Sequence, residues 1–163
     1  MHPRTLVLLA TLLGAVSPAA AEGEKAPVYT ATGWRLECTN GAKGVDCQVG
    51  QRVVVKDSGQ LVAMVAARVP ADTRKPVLVS QIPLGILVSQ PVVLKVDGQN
   101  AVNLAVETCR PEGCFANAPL PDAFATATRT GKELNLSFKG VDGQTVNMNL
   151  PLEGFAAVYA KAK

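Results

Sequence analysis

The tetrapeptide Val-Asp-Gly-Gln occurs twice, at 96–99 and 141–144, and each copy lies between two runs in which apolar and polar residues alternate. Alternation with a period of two indicates half-buried β-strands, and Asp-Gly between two such runs is a strong hairpin signal. The apolar positions of both hairpins are all even-numbered: Val92, Leu94, Val96, Val102, Leu104 and Val106 in the first, and Leu134, Leu136, Phe138, Val146, Met148 and Leu150 in the second.

This shared parity restricts the turns. Opposite residues of an antiparallel pair have a constant sum of residue numbers, so a plain two-residue loop would place the two apolar sets on opposite faces. An odd-length or bulged turn places them together, for example with Leu94 opposite Val102 and Phe138 opposite Met148. We therefore predict three-residue or bulged turns in which Gly98 and Gly143 have positive φ.

The rest of the chain predicts further short strands and two helices. Alternation at 34–38 and near-alternation at 47–55 indicate two strands, and the apolar run 61–69 indicates a strand buried on both faces. The run 77–88 is expected to be extended, with a bend at Pro83 and Gly85. One helix is expected at about 119–130, with Pro121 near its start and Gly131 after its end. A second is expected at about 152–161, where apolar residues recur at helical spacing. The pattern predicts a mainly β fold, an antiparallel β-sandwich or partly open barrel of about eight strands.

The N-terminus has the three parts of a secretory signal peptide. Arg4 precedes the apolar run 6–16, and the small residues 19–21 provide a cleavage site before Glu22. We expect residues 1–21 to be a signal peptide and 22–163 to be one exported domain. The predicted location is the periplasm or extracytoplasmic envelope, with no transmembrane span in the mature chain.

Charge and histidine content narrow the function. The chain has a formal net charge of +3, and no cluster of basic residues stands out, so a nucleic-acid partner is not expected. Its single histidine, His2, lies in the expected signal peptide, which argues against histidine-dependent catalytic or metal sites. No metal, cofactor or catalytic residue is predicted. An enzyme would have to rely on carboxylates such as Asp46, Asp57 and Glu107, which we interpret as surface charges.

Four cysteines, Cys38, Cys47, Cys109 and Cys114, are the candidate site residues. An even number of cysteines in an exported chain favours disulfides. Three connectivities are possible, and we favour the local pairs Cys38–Cys47 and Cys109–Cys114, because each pair brackets glycine-containing turn material. A redox pair and a zinc site are weaker alternatives, because neither spacing matches a common motif of those classes.

Several motifs resemble the invasion-associated locus B family of bacterial exported proteins. They are "GWRLEC" with a second cysteine at 47, "IPLGILVSQPVVLKVDG", "CRPEGCFANAPL" and "LPLEGFAAVYA". The resemblance covers nearly all of residues 33–160. It implies a small envelope protein, periplasmic or membrane-associated, from a family linked by name to host-cell invasion. It implies no catalytic residues, and its cysteines are structural pairs.

Export, a disulfide-stapled β fold and the missing histidine favour a non-enzymatic envelope protein. We expect a protein-interaction or envelope-assembly role, with an unidentified envelope protein or the membrane surface as the partner. The Pro83-Leu84-Gly85 segment and the Cys109–Cys114 turn are candidate contact surfaces, although both also serve as fold-specifying turns. The alternative is a periplasmic β protein that binds a small ligand.

Overall fold

A computed structural model describes residues 28–162 of the chain. Ten strands and two short helices follow one another along this part of the sequence. The strands are β1 (Tyr29–Ala31), β2 (Arg35–Gly41), β3 (Gly44–Val55), β4 (Leu61–Val69), β5 (Val77–Ile82), β6 (Val92–Val96), β7 (Gln99–Arg110), β8 (Gly113–Pro119), β9 (Glu133–Lys139) and β10 (Thr145–Pro151). The helices are α1 (Asp122–Thr130) and α2 (Phe155–Tyr159), and a 3₁₀ turn (Ala160–Ala162) follows α2. The expected signal peptide, 1–21, lies outside the described residues.

All ten strands belong to one antiparallel sheet that bends until it is nearly closed. The strand order is β1-β3-β4-β5-β8-β7-β6-β9-β10, and β2 also pairs with β3. The long strand β7 makes the bend, because its first half pairs with β6 and its second half pairs with β8. The mainly β, antiparallel, barrel-like prediction is confirmed. Two of the ten strands, β1 and β8, are additional to the predicted set.

Trp34 joins the two edges of the sheet. It lies between β1 and β2, and its indole Nε1 donates a hydrogen bond to the carbonyl oxygen of Pro151 at the end of β10, at 2.8 Å. Its ring meets Phe155 edge-on with centroids 4.8 Å apart, and Phe155 stacks on Tyr159 at 5.2 Å. Helix α2 is therefore held against the seam of the barrel.

Both Val-Asp-Gly-Gln hairpins keep their apolar sets on one face, as predicted. In the first, Asp97 and Gly98 form a two-residue turn, and a bulge then restores the predicted pairing of Leu94 with Val102. Gly98 has φ 74° and Gly143 has φ 78°, so both predicted conformations are confirmed.

The second hairpin differs from its predicted register by two residues. Five residues, 140–144, connect β9 to β10, and Phe138 therefore lies opposite Val146 rather than Met148. Five is an odd number, so the inward face is unchanged. The longer connection forms because the amide of Gly140 donates to the carbonyl of Gln144, which closes a loop around the Asp-Gly turn.

Both helices begin three residues later than predicted. Pro119 still pairs with Val77 as the last residue of β8, so α1 begins at Asp122 and ends at Thr130, before Gly131. Leu152 and the left-handed Gly154, with φ 81°, form a turn ahead of α2. The residues predicted to form the first turn of each helix therefore have other roles. Those before α1 end a β-strand, and those before α2 form a tight turn.

The interior of the barrel is filled by side chains. Leucines of β6, β7, β9 and β10 form one wall, and the most deeply buried are Leu94, Leu104, Leu136 and Leu150, each 0% exposed. Phe124 of α1 and Phe155 of α2 cover the core from one end. The internal space beside Trp34 and Phe124 is only about 10 Å³. This volume is too small for a ligand, so the barrel interior gives no support to the small-ligand alternative.

Gly113 provides a test of the β7–β8 turn. It has φ 136°, and a Cβ atom there would lie 2.5 Å from the carbonyl oxygen of Ile82. We expect Gly113→Ala to lower the free energy of unfolding by about 3 kcal/mol, because backbone strain and a clash with main chain add together. Urea unfolding measures the change.

Gly143→Ala is the matched control. Gly143 also has positive φ, but a Cβ atom added there would have no other atom within 4 Å. Its cost should be confined to the left-handed backbone, about 1–2 kcal/mol. Equal losses for the two variants would show that the approach of Ile82 to the turn does not matter.

Candidate functional site

The two ends of the barrel are built differently. Strand pairing places turn 56–60, loop 83–91, turn 111–112, loop 140–144 and the first described residue, Val28, at one end, which we call the loop end. The other end, the helix end, carries α1, α2, loop 70–76 and the turns at 42–43 and 97–98. The predicted contact segments, Pro83-Leu84-Gly85 and the Cys109–Cys114 turn, therefore share the loop end.

Exposed apolar side chains concentrate at the loop end. Among residues 28–162, seven large apolar side chains are exposed. Only Val45, 45% exposed, lies at the helix end. The other six lie at the loop end: Val28 52%, Tyr29 47%, Leu61 39%, Leu84 55%, Val88 59% and Val141 69%. Exposed apolar side chains concentrated at one end of a fold indicate a candidate interaction surface.

Main-chain hydrogen bonds hold the exposed residues of loops 83–91 and 140–144 in place. The amide of Leu87 donates to the carbonyl of Lys139, and the amide of Val141 donates to the carbonyl of Gly85, both at 2.9 Å. Ile86 is buried and forms an isolated bridge with Gly140, which leaves its neighbours Leu84 and Val88 facing outward. The surface is preorganised, which reduces the entropy lost on binding.

The β7–β8 turn is attached to the same platform. The side-chain amide of Gln81 donates to the carbonyl of Glu112 at 2.8 Å, and Gly113 packs against the backbone of Ile82. A disulfide joins Cys109 to Cys114 across the turn. The turn residues are therefore fixed relative to the end of β5, where loop 83–91 begins.

Charges at the loop end are balanced. Three basic and three acidic exposed residues border the apolar side chains: Lys56, Arg110, Lys139, Asp57, Glu112 and Asp142. Neither sign of charge dominates among the described residues of this end.

The four predicted site cysteines form two separate disulfides, one at each end of the barrel. Cys38 and Cys47 are opposite residues of β2 and β3, and their sulfurs are bonded. Cys109 and Cys114 are opposite residues of β7 and β8. Each disulfide fastens its own hairpin, and no free cysteine occurs in residues 28–162.

The carboxylates considered for catalysis do not meet. Asp46 lies near the start of β3, at the helix end, whereas Asp57 lies in the turn after β3, at the loop end. Glu107 occupies the bulge of β7, between residues paired with Ala116 and Phe115. In the described part of the chain, no three His, Cys, Asp or Glu side chains are grouped as metal ligands.

Asp46 instead holds the β4–β5 loop. Its carboxylate accepts a hydrogen bond from the amide of Ala71 at 2.6 Å and pairs with Arg68 at 3.2 Å. The bond from Ala71, with a smaller contribution from Arg68, lowers the pKa of Asp46 below its ordinary value. This carboxylate therefore has a structural role beside the Cys38–Cys47 disulfide.

Comparisons with known proteins agree with this architecture. A model of the invasion associated locus B (IalB) protein family matches residues 34–163. The chain belongs to this family. The crystal structure of invasion associated protein B from Bartonella henselae superposes with a TM-score of 0.69 at 27% identity, and the match covers 79% of this chain and 89% of that one. The shared fold thus includes nearly the whole barrel.

Two curated relatives also match parts of the chain. Invasion protein B of Bartonella bacilliformis is 37% identical over 79 residues, a match that covers 46% of this chain and only 42% of that protein. An invasion protein B homolog of Brucella abortus is 25% identical over 125 residues, covering 76% of this chain and 72% of the homolog. None of the helices in residues 28–162 of the IalB-family chain is long and apolar enough to cross a membrane.

Most of the loop-end surface carries no recognisable signal in the sequence. Of its six exposed apolar residues, only Leu84 falls within a predicted contact segment. The other five are Val28, Tyr29, Leu61, Val88 and Val141. Leu61 occurs in an apolar run that indicates a buried strand, and only its position at the strand end exposes it. No local pattern distinguishes such a residue from its buried neighbours.

Both disulfide pairings can be tested by tryptic mapping without reduction. Lys43 separates Cys38 from Cys47, so peptides 36–43 and 44–52 should appear joined and should separate on reduction. The Arg110–Pro111 bond resists trypsin, so peptide 96–129 should carry the second disulfide and gain two hydrogen atoms on reduction. A joined peptide that links Cys38 or Cys47 to 96–129 would contradict these pairings.

The lowered pKa of Asp46 makes the β4–β5 loop sensitive to acid. A depressed pKa stabilises the fold above the unfolded-state value of 3.8, and this contribution is lost as the pH falls through the lower folded-state value. The NMR shift of the Ala71 amide should therefore titrate with a midpoint below 3.8. Asp46→Ala should abolish this titration, and the control Asp57→Ala should not. An unchanged titration in Asp46→Ala would assign it to another group.

Proposed function

We propose that this chain is an exported, non-enzymatic protein of the cell envelope that binds another envelope protein through its loop end. The observation that carries the proposal is the collection of six exposed apolar side chains at one end of the barrel, three of them on loops held by main-chain hydrogen bonds. A protein interface combines ordered apolar side chains with polar residues around them, and the loop end offers residues of both kinds.

The balance of charges favours a protein partner over a membrane surface. Attraction to anionic lipids depends on an excess of lysine and arginine, and the basic and acidic residues bordering the loop end are equal in number. The proposed partner is therefore a protein, and binding to a membrane surface is the alternative that the experiment distinguishes.

Export is supported by the N-terminal sequence pattern and by two disulfides, since such bonds persist in oxidising compartments. The tryptic map, made on protein recovered from its native cells, tests this part. Its first peptide begins at Glu22 if residues 1–21 are removed as a signal peptide. A contribution to host-cell invasion is suggested only by the names of the Bartonella and Brucella relatives.

The loop-end proposal can be tested by site-specific photocrosslinking in intact cells. A photoreactive amino acid at position 88 should give one discrete protein adduct, and the same amino acid at position 45 should not. With the purified partner, the variant Leu84→Ser/Val141→Ser should raise the dissociation constant at least about tenfold, because each change removes apolar contact area.

Val45→Ser is the matched control, since Val45 is similarly exposed but lies at the helix end. It should leave the dissociation constant unchanged, and neither variant should change the free energy of unfolding by more than about 0.5 kcal/mol. Equal adducts from positions 45 and 88 would overturn the proposal. Binding only to phosphatidylethanolamine–phosphatidylglycerol vesicles, with loss in Leu84→Ser/Val141→Ser, would replace the protein partner with the membrane.

A further inference from the structure

A second surface feature, independent of the loop end, is an open cleft at the helix end. It has a volume of about 490 Å³ and lies between α1, the end of α2 and loop 70–76. Its lining combines apolar and charged residues: Val69, Pro76, Leu120, Ala125 and Tyr159, with Arg74, Asp122, Thr126 and Arg129. The cleft is large enough for a small organic molecule, whereas the barrel interior is not.

One face of α1 supplies the charged wall. Asp122, Thr126 and Arg129 recur at the three- and four-residue spacing that aligns side chains along a helix. The Arg129 guanidinium donates to the Thr126 hydroxyl at 3.2 Å and is in no ion pair within the described chain. Its charge is therefore not neutralised by a carboxylate contact.

Arg74 supplies a second guanidinium from the opposite wall. It too forms no ion pair among residues 28–162, whereas Arg52 and Arg68 both do. Arg74 has φ 53°, a left-handed conformation that glycine or asparagine adopts at less cost. The positive φ closes a turn in which the Arg74 amide bonds to the carbonyl of Pro70, and Arg74 contributes to the lining of the cleft.

The floor of the cleft is apolar and connected to the core. Tyr159 is 2% exposed and stacks on Phe155, which in turn contacts Trp34. Burial raises the pKa of Tyr159, opposed by the positive charge of Arg129, so the phenol stays neutral at physiological pH. A ligand on this floor meets a ring that carries no charge.

Loop 70–76, which carries Arg74, has a fixed position. The Ala71 amide is held by Asp46, the Arg74 amide donates to the carbonyl of Pro70 at 3.0 Å, and the Leu120 amide donates to the carbonyl of Pro76 at 3.0 Å. These bonds set the distance between the two walls before any ligand arrives.

We propose that the cleft binds a small organic acid, with its carboxylate between Arg74 and Arg129 and its apolar body on Pro76, Leu120 and Tyr159. Two guanidiniums against the single carboxylate of Asp122 give the cleft a net positive charge. Arginine is suited to this task because its planar group donates two parallel hydrogen bonds to a carboxylate.

The test uses benzoate as the acid and benzamide as its neutral isostere, with binding followed by NMR shifts of the full-length exported protein. Benzoate should shift the amides of Ala125, Arg129 and Tyr159 and leave those of loop 83–91 unchanged. Benzamide should bind at least about tenfold more weakly, because it lacks the charge that the arginines recognise.

Two variants separate binding from folding. Arg129→Gln should weaken benzoate binding at least about tenfold. Arg74→Gly should weaken it similarly while preserving or raising the unfolding midpoint, because glycine relieves the left-handed strain. The controls are Arg35→Gln and Arg110→Gln, which change arginines outside the cleft that form no ion pair within residues 28–162. Both controls should bind benzoate as the parent protein does.

Three results would overturn the proposal. They are no shift with benzoate, equal binding of benzamide, or unchanged benzoate affinity in both Arg74→Gly and Arg129→Gln. None of these results bears on the loop end, so the cleft and the protein-binding surface stand or fall separately.

Discussion

The hydrogen bond from Trp34 to Pro151 is the contact on which the rest of the molecule depends. A ten-stranded sheet that does not close has two edges, and the indole of Trp34 joins them at the point where β10 ends. The same ring orders Phe155 and, through it, Tyr159. Closure of the barrel, docking of α2 and formation of the cleft floor are therefore one packing event around a single aromatic side chain.

Closure also makes the two ends of the barrel unequal. Helices α1 and α2 bury Phe124, Phe155 and Tyr159 over the helix end, so apolar groups there become core. Only turns and short loops cover the loop end within the described chain, and their apolar side chains stay in contact with water. The two proposals follow this asymmetry, with a protein partner at the loop end and a small organic acid at the helix end.

Much of this fold can be predicted from the sequence, because the patterns that indicate its strands and turns lie within short segments. Alternation identifies β6, β7, β9 and β10, and the shared parity of their apolar residues requires bulged or odd-length turns. Strand β8 escapes prediction because Gly113–Pro119 lacks strong alternation of apolar and polar residues, and it is a strand only because β5 and β7 pair with it on both sides. The two-residue error in the β9–β10 register arises because loop length depends on a bond between Gly140 and Gln144.

By itself the sequence determined the class of fold, the face that each hairpin buries, the proximity of the cysteines within each hairpin and the resemblance to the IalB family. These properties depend on residues that are close together in the sequence. The two-residue period of a β-strand allows the strands and their buried faces to be predicted from it. Only the tertiary structure decided that Leu84, Val141 and Tyr29 share one end, and that Arg74 faces the same cleft as Arg129. These residues come together only because strands distant in the chain pair with each other. The local periodicity of a sequence does not specify which strands will pair.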